Sequence, residues 1–247
     1  MNRKQVLIPI GVFLGVLVSW EVVVRVAAVP FYVLPSPSRI LLVFSDPRTE
    51  LLKHLTVTFG ESILGFLLGS AFGLSLGILL AEFTSARLAL LPYVIGSNAV
   101  PVVAVAPLVV MWFGYSFLAR AVVSAFLCFF PLCINTYRGL QSADLHYREL
   151  FTVYGATRLQ YLLKARLPYS VPFLFAGAKL NATYAVIGAV VAEFIGTTSG
   201  LGYGMVNALY NTDTPRLWAY LSVSILLGVS FYGIVWLLET VYTKRHE

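Results

Sequence analysis

The residues most able to do chemistry in this chain lie inside apolar segments. Lys179, Asn181 and Glu193 share one long apolar stretch, and Asn98 and Trp112 lie in an earlier one. Charged and amide side chains are costly in hydrocarbon, so they usually face a polar cavity or a partner. These five residues are therefore predicted to line a path for a polar solute. Two alternatives stay open: Lys179 could extend its amine to the membrane surface, and Glu193 could cap a helix or anchor a loop.

No residue set typical of an enzyme or a metal site is present in the sequence. The three histidines are scattered, and Cys128 and Cys133 are five positions apart, on different faces of a helix. That spacing predicts packing residues rather than a disulfide or a metal pair. No Gly is followed by Lys, so the chain lacks the G-x-x-x-x-G-K-[S/T] phosphate-binding loop. A self-contained ATP-driven pump is thereby disfavoured.

The composition indicates that lipid is the solvent of this protein. The 247 residues are 59% hydrophobic and only 11% charged, whereas a soluble domain has about 25% charged residues. The net charge of +6 could indicate nucleic acid in a soluble protein. In a membrane protein it is explained by Lys and Arg in cytoplasmic loops.

Six apolar segments are long enough to cross a bilayer, which needs about 20 helical residues. They are Val6–Val29, Gly60–Ala81, Leu88–Phe113, Phe117–Tyr137, Val171–Ile195 and Leu217–Tyr242. With both termini in the cytoplasm, ten Lys and Arg residues lie inside and six outside, which favours that orientation. Near the end of the first segment, Glu21 and Arg25 are four apart and are predicted to pair.

Small residues and prolines mark the second and third segments. Four glycines repeat every four positions in the second segment: Gly65, Gly69, Gly73 and Gly77. Such a ladder lets helix backbones approach closely in lipid, either as a seam within the bundle or as a dimer or sliding surface. The third segment holds Pro92, Pro101 and Pro107, which can kink a helix to line a polar path or simply to pack.

The polar loop between the fourth and fifth segments, residues 138–170, has helical periodicity. Ser142 is predicted to cap a helix, and Gly155 can end it. Between them lies one apolar-aromatic face: Tyr147, Leu150, Phe151 and Tyr154. Such a face could bury itself in the membrane surface or in a groove of a partner protein.

The same loop resembles the EAA signature of ABC importer permeases. In that family the pattern is Glu-Ala-Ala, three residues, Gly, nine residues, then Ile-x-Leu-Pro. This chain has Glu149-Leu150-Phe151, Gly155 and Ala165-Arg166-Leu167-Pro168 at the matching spacing. Leu150 and Phe151 replace the two alanines, and Ala165 replaces the isoleucine.

Other segments resemble one subfamily, the permeases of nitrate, taurine and alkanesulfonate importers. They are LPSPSRI from residue 34, the GF-rich second segment, PLVVMWFG from residue 107, Ala192-Glu193 and Gly200-Leu201-Gly202. Lys179 stands where that subfamily usually has Arg. The resemblance spans nearly the whole chain.

This resemblance implies an all-α polytopic membrane bundle of six transmembrane helices, like a type I ABC importer permease, forming one domain over 1–247. The loop at about 138–170 would carry a coupling helix that docks on a separate ATPase. Its coupling residues would be Tyr147, Glu149, Leu150, Phe151, Tyr154, Gly155, Ala156 and Pro168.

The implied partners are two ATPase subunits, a second permease copy in a homodimer, an extracytoplasmic substrate-binding protein and the bilayer, with no nucleic acid. No cofactor is expected on this chain, since ATP and Mg would bind the ATPase, and no metal site or catalytic residue is expected. The implied location is a bacterial inner membrane. The implied solute is a sulfonate, nitrate, or a vitamin or pyrimidine precursor. The alternative is an ATP-independent channel or secondary transporter, which would need an inverted repeat or a coupling-ion site. A membrane-embedded enzyme is a third class, for which no residue set is visible.

Overall fold

The described structure consists of helices joined by short turns. A computed structural model describes residues 3–142, 151 and 153–244, with side chains from residue 7 onward. No strand occurs within that part of the chain. The helices are α1 (Arg3–Val26), α2 (Pro37–Val43), α3 (Leu51–Glu82), α4 (Thr84–Ser97), α5 (Val102–Phe113), α6 (Phe117–Gln141), α7 (Arg158–Tyr161), α8 (Leu167–Glu193), α9 (Leu201–Tyr210) and α10 (Thr214–Lys244). A π-helical turn, Leu162–Arg166, makes α7 and α8 continuous.

The membrane-spanning segments agree with the hydropathy of the sequence. Five helical stretches are long and apolar enough to cross a membrane: Leu7–Val26, Pro47–Glu82, Phe117–Gln141, Arg158–Glu193 and Thr214–Lys244. The pair α4 and α5 makes a sixth if the two count as one bent span. The predicted all-helical bundle with up to six crossings is therefore confirmed.

The third predicted span, Leu88–Phe113, is broken into two helices rather than only kinked. Helices α4 and α5 meet at 102°. Helix α4 ends with Asn98 as its C-cap, and α5 begins after Pro101. A proline has no N–H to donate and its ring disfavours helical backbone in the preceding residue, so helical hydrogen bonding stops at Pro101. A kink was expected here, but the chain instead turns through more than a right angle.

The centre of the bundle is α6, which lies between α3 and α8. The glycine ladder of α3 is buried against it. An added methyl group would meet the Ser124 side chain at Gly65, the Ala125 carbonyl at Gly69, the Phe129 carbonyl at Gly73 and the Cys133 carbonyl at Gly77. Backbone contact of this kind leaves no space for a side chain, so the ladder sets the separation of the two helices.

The other face of α6 packs as closely on α8. The Ser124 hydroxyl donates to the Ala185 carbonyl at 2.8 Å, and the Cys128 thiol donates to the Asn181 carbonyl at 3.4 Å. Cys128 and Cys133 are both buried and both free. Their predicted role as packing residues is confirmed.

The first helix is joined to the bundle through the Glu21 carboxylate and through the ring of Trp20, whose centroid lies 4.9 Å from that of Trp218 on α10. Glu21 accepts a hydrogen bond from Arg25 at 2.5 Å, which confirms the predicted pair. It also accepts from the backbone N–H of Ser38 at 3.0 Å and from the Ser38 hydroxyl at 2.8 Å. Glu21 therefore connects α1 to the start of α2.

The fourth span extends further into the polar loop than predicted. Ser142 is the C-cap of α6. Its hydroxyl donates to the Gly139 carbonyl at 2.7 Å, closing the last turn of α6. The helix that Ser142 was predicted to start lies outside the described residues, so its role as an N-cap stays a prediction.

Candidate functional site

The loop between α6 and α8 ends in a tight, locally specified turn. Gly155 has a φ of +65°, in the left-handed region that non-glycine side chains disfavour. The N–H of Ala156 donates to the Phe151 carbonyl at 2.9 Å across it. Thr157 and Gln160 then form a reciprocal capping box that starts α7, with bonds of 2.8 and 3.3 Å. Three consecutive elements of local structure fix the path of the chain here.

This turn leaves large apolar side chains unburied within the chain. Tyr154 is 80% exposed and Val153 is 84% exposed. Phe151 is partly buried and packs its ring against Tyr161, with centroids 5.4 Å apart. Exposed apolar side chains next to a rigid turn are typical of a surface that another molecule covers.

Arg166 connects the loop to the ends of two membrane helices. Its Nε donates to the Leu140 carbonyl at 2.8 Å, near the end of α6. Its Nη1 forms an ion pair with Glu82, the last residue of α3. The guanidinium also lies over the ring of Tyr161, at 6.0 Å from its centroid. These contacts join the π-helical turn before α8 to the ends of α3 and α6.

The coupling residues of the sequence analysis divide into two groups. Phe151, Tyr154, Gly155 and Ala156 lie in the turn, and Pro168 lies in the first turn of α8. Tyr147, Glu149 and Leu150 lie outside the described residues.

The five predicted path residues are not brought together within one chain. Asn98 and Trp112 are exposed on the bent α4–α5 pair. Asn181 is buried, and its Nδ2 donates to the Ser70 hydroxyl at 2.9 Å. Lys179 pairs with Glu239 of α10 at 2.7 Å. None of the three cavities found among the described residues is lined by any of the five.

Glu193 belongs to a buried polar cluster at the opposite end of the bundle from Arg166. Its carboxylate accepts from the Thr58 hydroxyl and from the N–H of Gly202, both at 2.6 Å. The N–H of Gly200 donates to Nδ1 of His54 at 3.0 Å. Together these bonds attach the start of α9 to α3 and α8, which is the loop-anchoring geometry raised above for Glu193.

A charge pair beside this cluster was missed by sequence reasoning. Arg120 of α6 pairs with Glu61 of α3 at 2.5 Å, and both residues are buried. Arg120 was counted among the residues outside the membrane, and Glu61 was assigned no role. One signal could have found the pair. Glu61 and Arg120 each lie just inside an apolar segment, at the ends that the predicted topology puts on the same side of the membrane.

Comparison with known proteins identifies the family. Residues 69–241 match the model of the binding-protein-dependent transport system inner membrane component. The chain belongs to this family of ABC transporter permeases. The match includes the loop with Arg166 and four of the five unbroken spans in whole or in part. This permease is therefore a multi-pass membrane protein and a transport subunit rather than an enzyme.

Named relatives cover almost all of this permease. It is 35% identical over 243 residues to the formylaminopyrimidine transport permease protein ThiX of Halalkalibacterium halodurans, covering 98% of this chain and 97% of the relative. It is 33% identical to the putative aliphatic sulfonates transport permease protein SsuC of Bacillus subtilis, over 93% of this chain and 84% of the relative. It is also 33% identical to the riboflavin transport system permease protein RibX of Chloroflexus aurantiacus, over 92% of this chain and 86% of the relative.

Solved structures share the fold of this permease at low sequence identity. A crystal structure of an amino acid ABC transporter with histidines aligns with a TM-score of 0.65 and 15% identity, over 81% of this chain and 97% of that one. An inward-facing MetNI methionine ABC transporter aligns with a TM-score of 0.64 and 18% identity, over 77% and 97%. At these identities the likeness establishes the helical architecture of the permease.

Proposed function

We propose that this permease forms the translocation path of an ATP-driven importer and that the loop between α6 and α8 is the contact for a separate ATPase. In this proposal two ATPase subunits bind ATP and Mg, two copies of the permease pair as a homodimer, and an extracytoplasmic protein delivers the solute. The permease itself moves between inward-facing and outward-facing states.

The observation that carries this proposal is the attachment of an exposed apolar turn to the helix ends through Arg166. A partner that binds Tyr154 and Val153 contacts a turn of fixed shape, because Gly155 and the capping box at Thr157 determine its backbone. Arg166 bonds to Glu82 and to the Leu140 carbonyl, so a force on the turn reaches α3 and α6 as well as α8. A loop that only rested on the membrane surface would not need this connection to the helix ends.

The proposed orientation places the loop and both termini in the cytoplasm of a bacterial cell, with the chain in the inner membrane. The charge bias of ten Lys and Arg inside against six outside supports it. The Arg166 contacts join the ends of α3 and α6 to the start of α8 at one side of the bundle, as alternating crossings require, so these three ends lie on the same side of the membrane as the loop.

The proposed solute is a small polar or anionic molecule. The relatives named above are described as carrying formylaminopyrimidine, aliphatic sulfonates and riboflavin, which are polar but chemically diverse. We propose that Asn98 and Trp112, exposed on the bent pair, line the path between two permease copies, together with Lys179, Asn181 and Glu193 after movement of α8. The external binding protein would then do most of the selection.

The test is removal of one exposed aromatic side chain from the loop. Tyr154→Ala should leave the permease folded, since the side chain is 80% exposed. Loss of a central aromatic contact at an interface costs about 2 kcal/mol or more, so ATPase affinity should fall roughly thirtyfold. The measurements are ATPase retention on the purified permease and ATP-dependent uptake into vesicles.

A matched control is available at the end of α9. Tyr210 is 84% exposed and, in the proposed orientation, faces the other side of the membrane. Tyr210→Ala should retain the ATPase at wild-type strength. Wild-type retention and uptake by Tyr154→Ala would contradict the proposal.

A further inference from the structure

A second polar site lies beside the loop, in a cavity of about 720 Å³. It opens where α3 ends, α4 begins, α6 ends and α7 begins, at the same side of the bundle as the Arg166 contacts. Among the residues that the structure describes, its polar lining includes Arg87, Arg158 and Arg166, with Glu82 as the one acid. This surrounding favours an anion.

Two of the three arginines are available to a ligand. Arg166 is engaged by Glu82 and by the Leu140 carbonyl. Arg87 and Arg158 form no hydrogen bond or ion pair with any residue that the structure describes. Because Glu82 neutralises Arg166, the cavity retains two unpaired positive charges, those of Arg87 and Arg158.

The start of α4 adds neutral donors to the same cavity. Thr84 and Ser85, its first two residues, line the cavity, and no side chain caps the helix N-terminus. The first N–H groups of a helix have no partner within the helix and favour negative charge. Two hydroxyls, free backbone N–H groups and two guanidinium groups thus converge on one polar space, which is the donor set that binds phosphate.

We propose that this cavity binds the phosphodiester headgroup of an anionic phospholipid from the cytoplasmic leaflet. The cavity lies at the ends of membrane spans, the level at which headgroups lie. Its volume is far larger than one phosphate needs. Apolar side chains beside it are open to acyl chains: Phe83, which lines the cavity, is 53% exposed, and Leu88, the residue after Arg87, is 73% exposed. Basic pockets between membrane helices on the cytoplasmic side are known to suit such headgroups.

The bound headgroup would connect α4 to the loop. Arg87 is on α4 and Arg158 is the first residue of α7, so one phosphate bridging them joins the bent third span to the loop between α6 and α8. Arg158 lies in the loop between α6 and α8, so this site adjoins the proposed ATPase contact, but Tyr154 and Val153 do not line the cavity.

The test is lipid retention by the permease purified with its partner subunits. Arg87→Gln with Arg158→Gln removes both unpaired charges and leaves Arg166 in place. Each cation near a membrane surface contributes about 1 kcal/mol, so the double variant should bind phosphatidylglycerol roughly thirtyfold more weakly. The control is Lys164→Gln with Lys244→Gln, which removes two charges near the same side but outside the cavity.

Native mass spectrometry after delipidation and titration with phosphatidylglycerol, phosphatidylcholine or inorganic phosphate separates the outcomes. We expect wild type and control to hold phosphatidylglycerol but not phosphatidylcholine, with inorganic phosphate failing to displace it. Equal retention by the double variant would overturn the proposal. Displacement by inorganic phosphate would identify a free-anion site instead, and retention only in the absence of the ATPase would indicate that a partner's acidic side chain fills the cavity. Size-exclusion profiles of both variants verify folding.

Discussion

The buried pair of Glu61 and Arg120 offers a sharp test of how the bundle is held together. Arg120→Met removes the cation and keeps much of the side-chain volume. Glu61 then remains at 0% exposure without the guanidinium that donates to its Oε1, and its Oε2 has no hydrogen-bond partner among the described residues. Glu193 lies in the neighbouring polar cluster and adds a second acid.

The expected size of the effect follows from this burial. Removing one partner of a buried ion pair costs about 3–5 kcal/mol, because the other charge stays buried without compensation. For a chain of this length, each kcal/mol lowers the melting temperature by about 2–4 °C. Arg120→Met should therefore melt roughly 6–20 °C below wild type.

Two comparison variants separate charge burial from general damage. Glu61→Leu combined with Arg120→Met removes both charges and should recover much of the loss, since a buried pair can be replaced by apolar residues at little cost. Lys53→Met breaks the Lys53–Glu50 pair, whose side chains are 60% and 52% exposed. That exposed pair should contribute less than about 1 kcal/mol.

The assay is thermal unfolding of the purified permease in one detergent, followed by intrinsic tryptophan fluorescence. The reasoning fails if Arg120→Met melts within about 2 °C of wild type, a shift worth no more than about 1 kcal/mol. It also fails if the double variant is no more stable than Arg120→Met alone.

Three further predictions concern backbone approach, the loop turn and an exposed ion pair. Gly73→Leu would press on the Phe129 carbonyl, so its thermal stability should fall by about 1–3 kcal/mol, whereas Gly11→Leu, with nothing within 4 Å, should match wild type. Gly155→Val should lower ATP-dependent uptake because a branched side chain in the left-handed region costs about 1–2 kcal/mol, while Gly155→Asn should retain it; equal uptake by the two would count against a strained turn. The N–H of Arg48 and then the guanidinium of Arg216 hold the pKa of Asp46 below its ordinary 3.8. The stabilisation that Asp46 contributes is therefore present above pH 3.8 and is lost as the pH falls through the lowered pKa. A wild-type melting temperature that falls on acidification no more than that of Asp46→Asn would contradict this.

The sequence predicts those features that depend on one segment at a time. Apolar length gives the spans, and the four-residue spacing gives the Glu21–Arg25 pair, because both are local properties of a helix. The break between α4 and α5 was only half predicted. Pro101 indicates a disturbance, but the angle of 102° depends on how each half packs.

Contacts between distant segments were not predictable from one sequence. Glu61 and Arg120 lie 59 positions apart, and Lys179 and Glu239 lie 60 apart. Pairing them requires the rotation of each helix about its axis, which hydropathy does not give. The extent of α6 was also not predictable: its last turn is closed by the hydroxyl of Ser142, which donates to the Gly139 carbonyl.

The proposed function requires the turn at Tyr154 to face the cytoplasm, where an ATPase can bind it. Single cysteines at Tyr154 and Tyr210 can be labelled with a membrane-impermeant thiol reagent, because Cys128 and Cys133 are buried. In intact spheroplasts we expect labelling of Tyr210→Cys alone, with Tyr154→Cys labelled only after permeabilisation. Labelling of Tyr154→Cys in intact spheroplasts would contradict it.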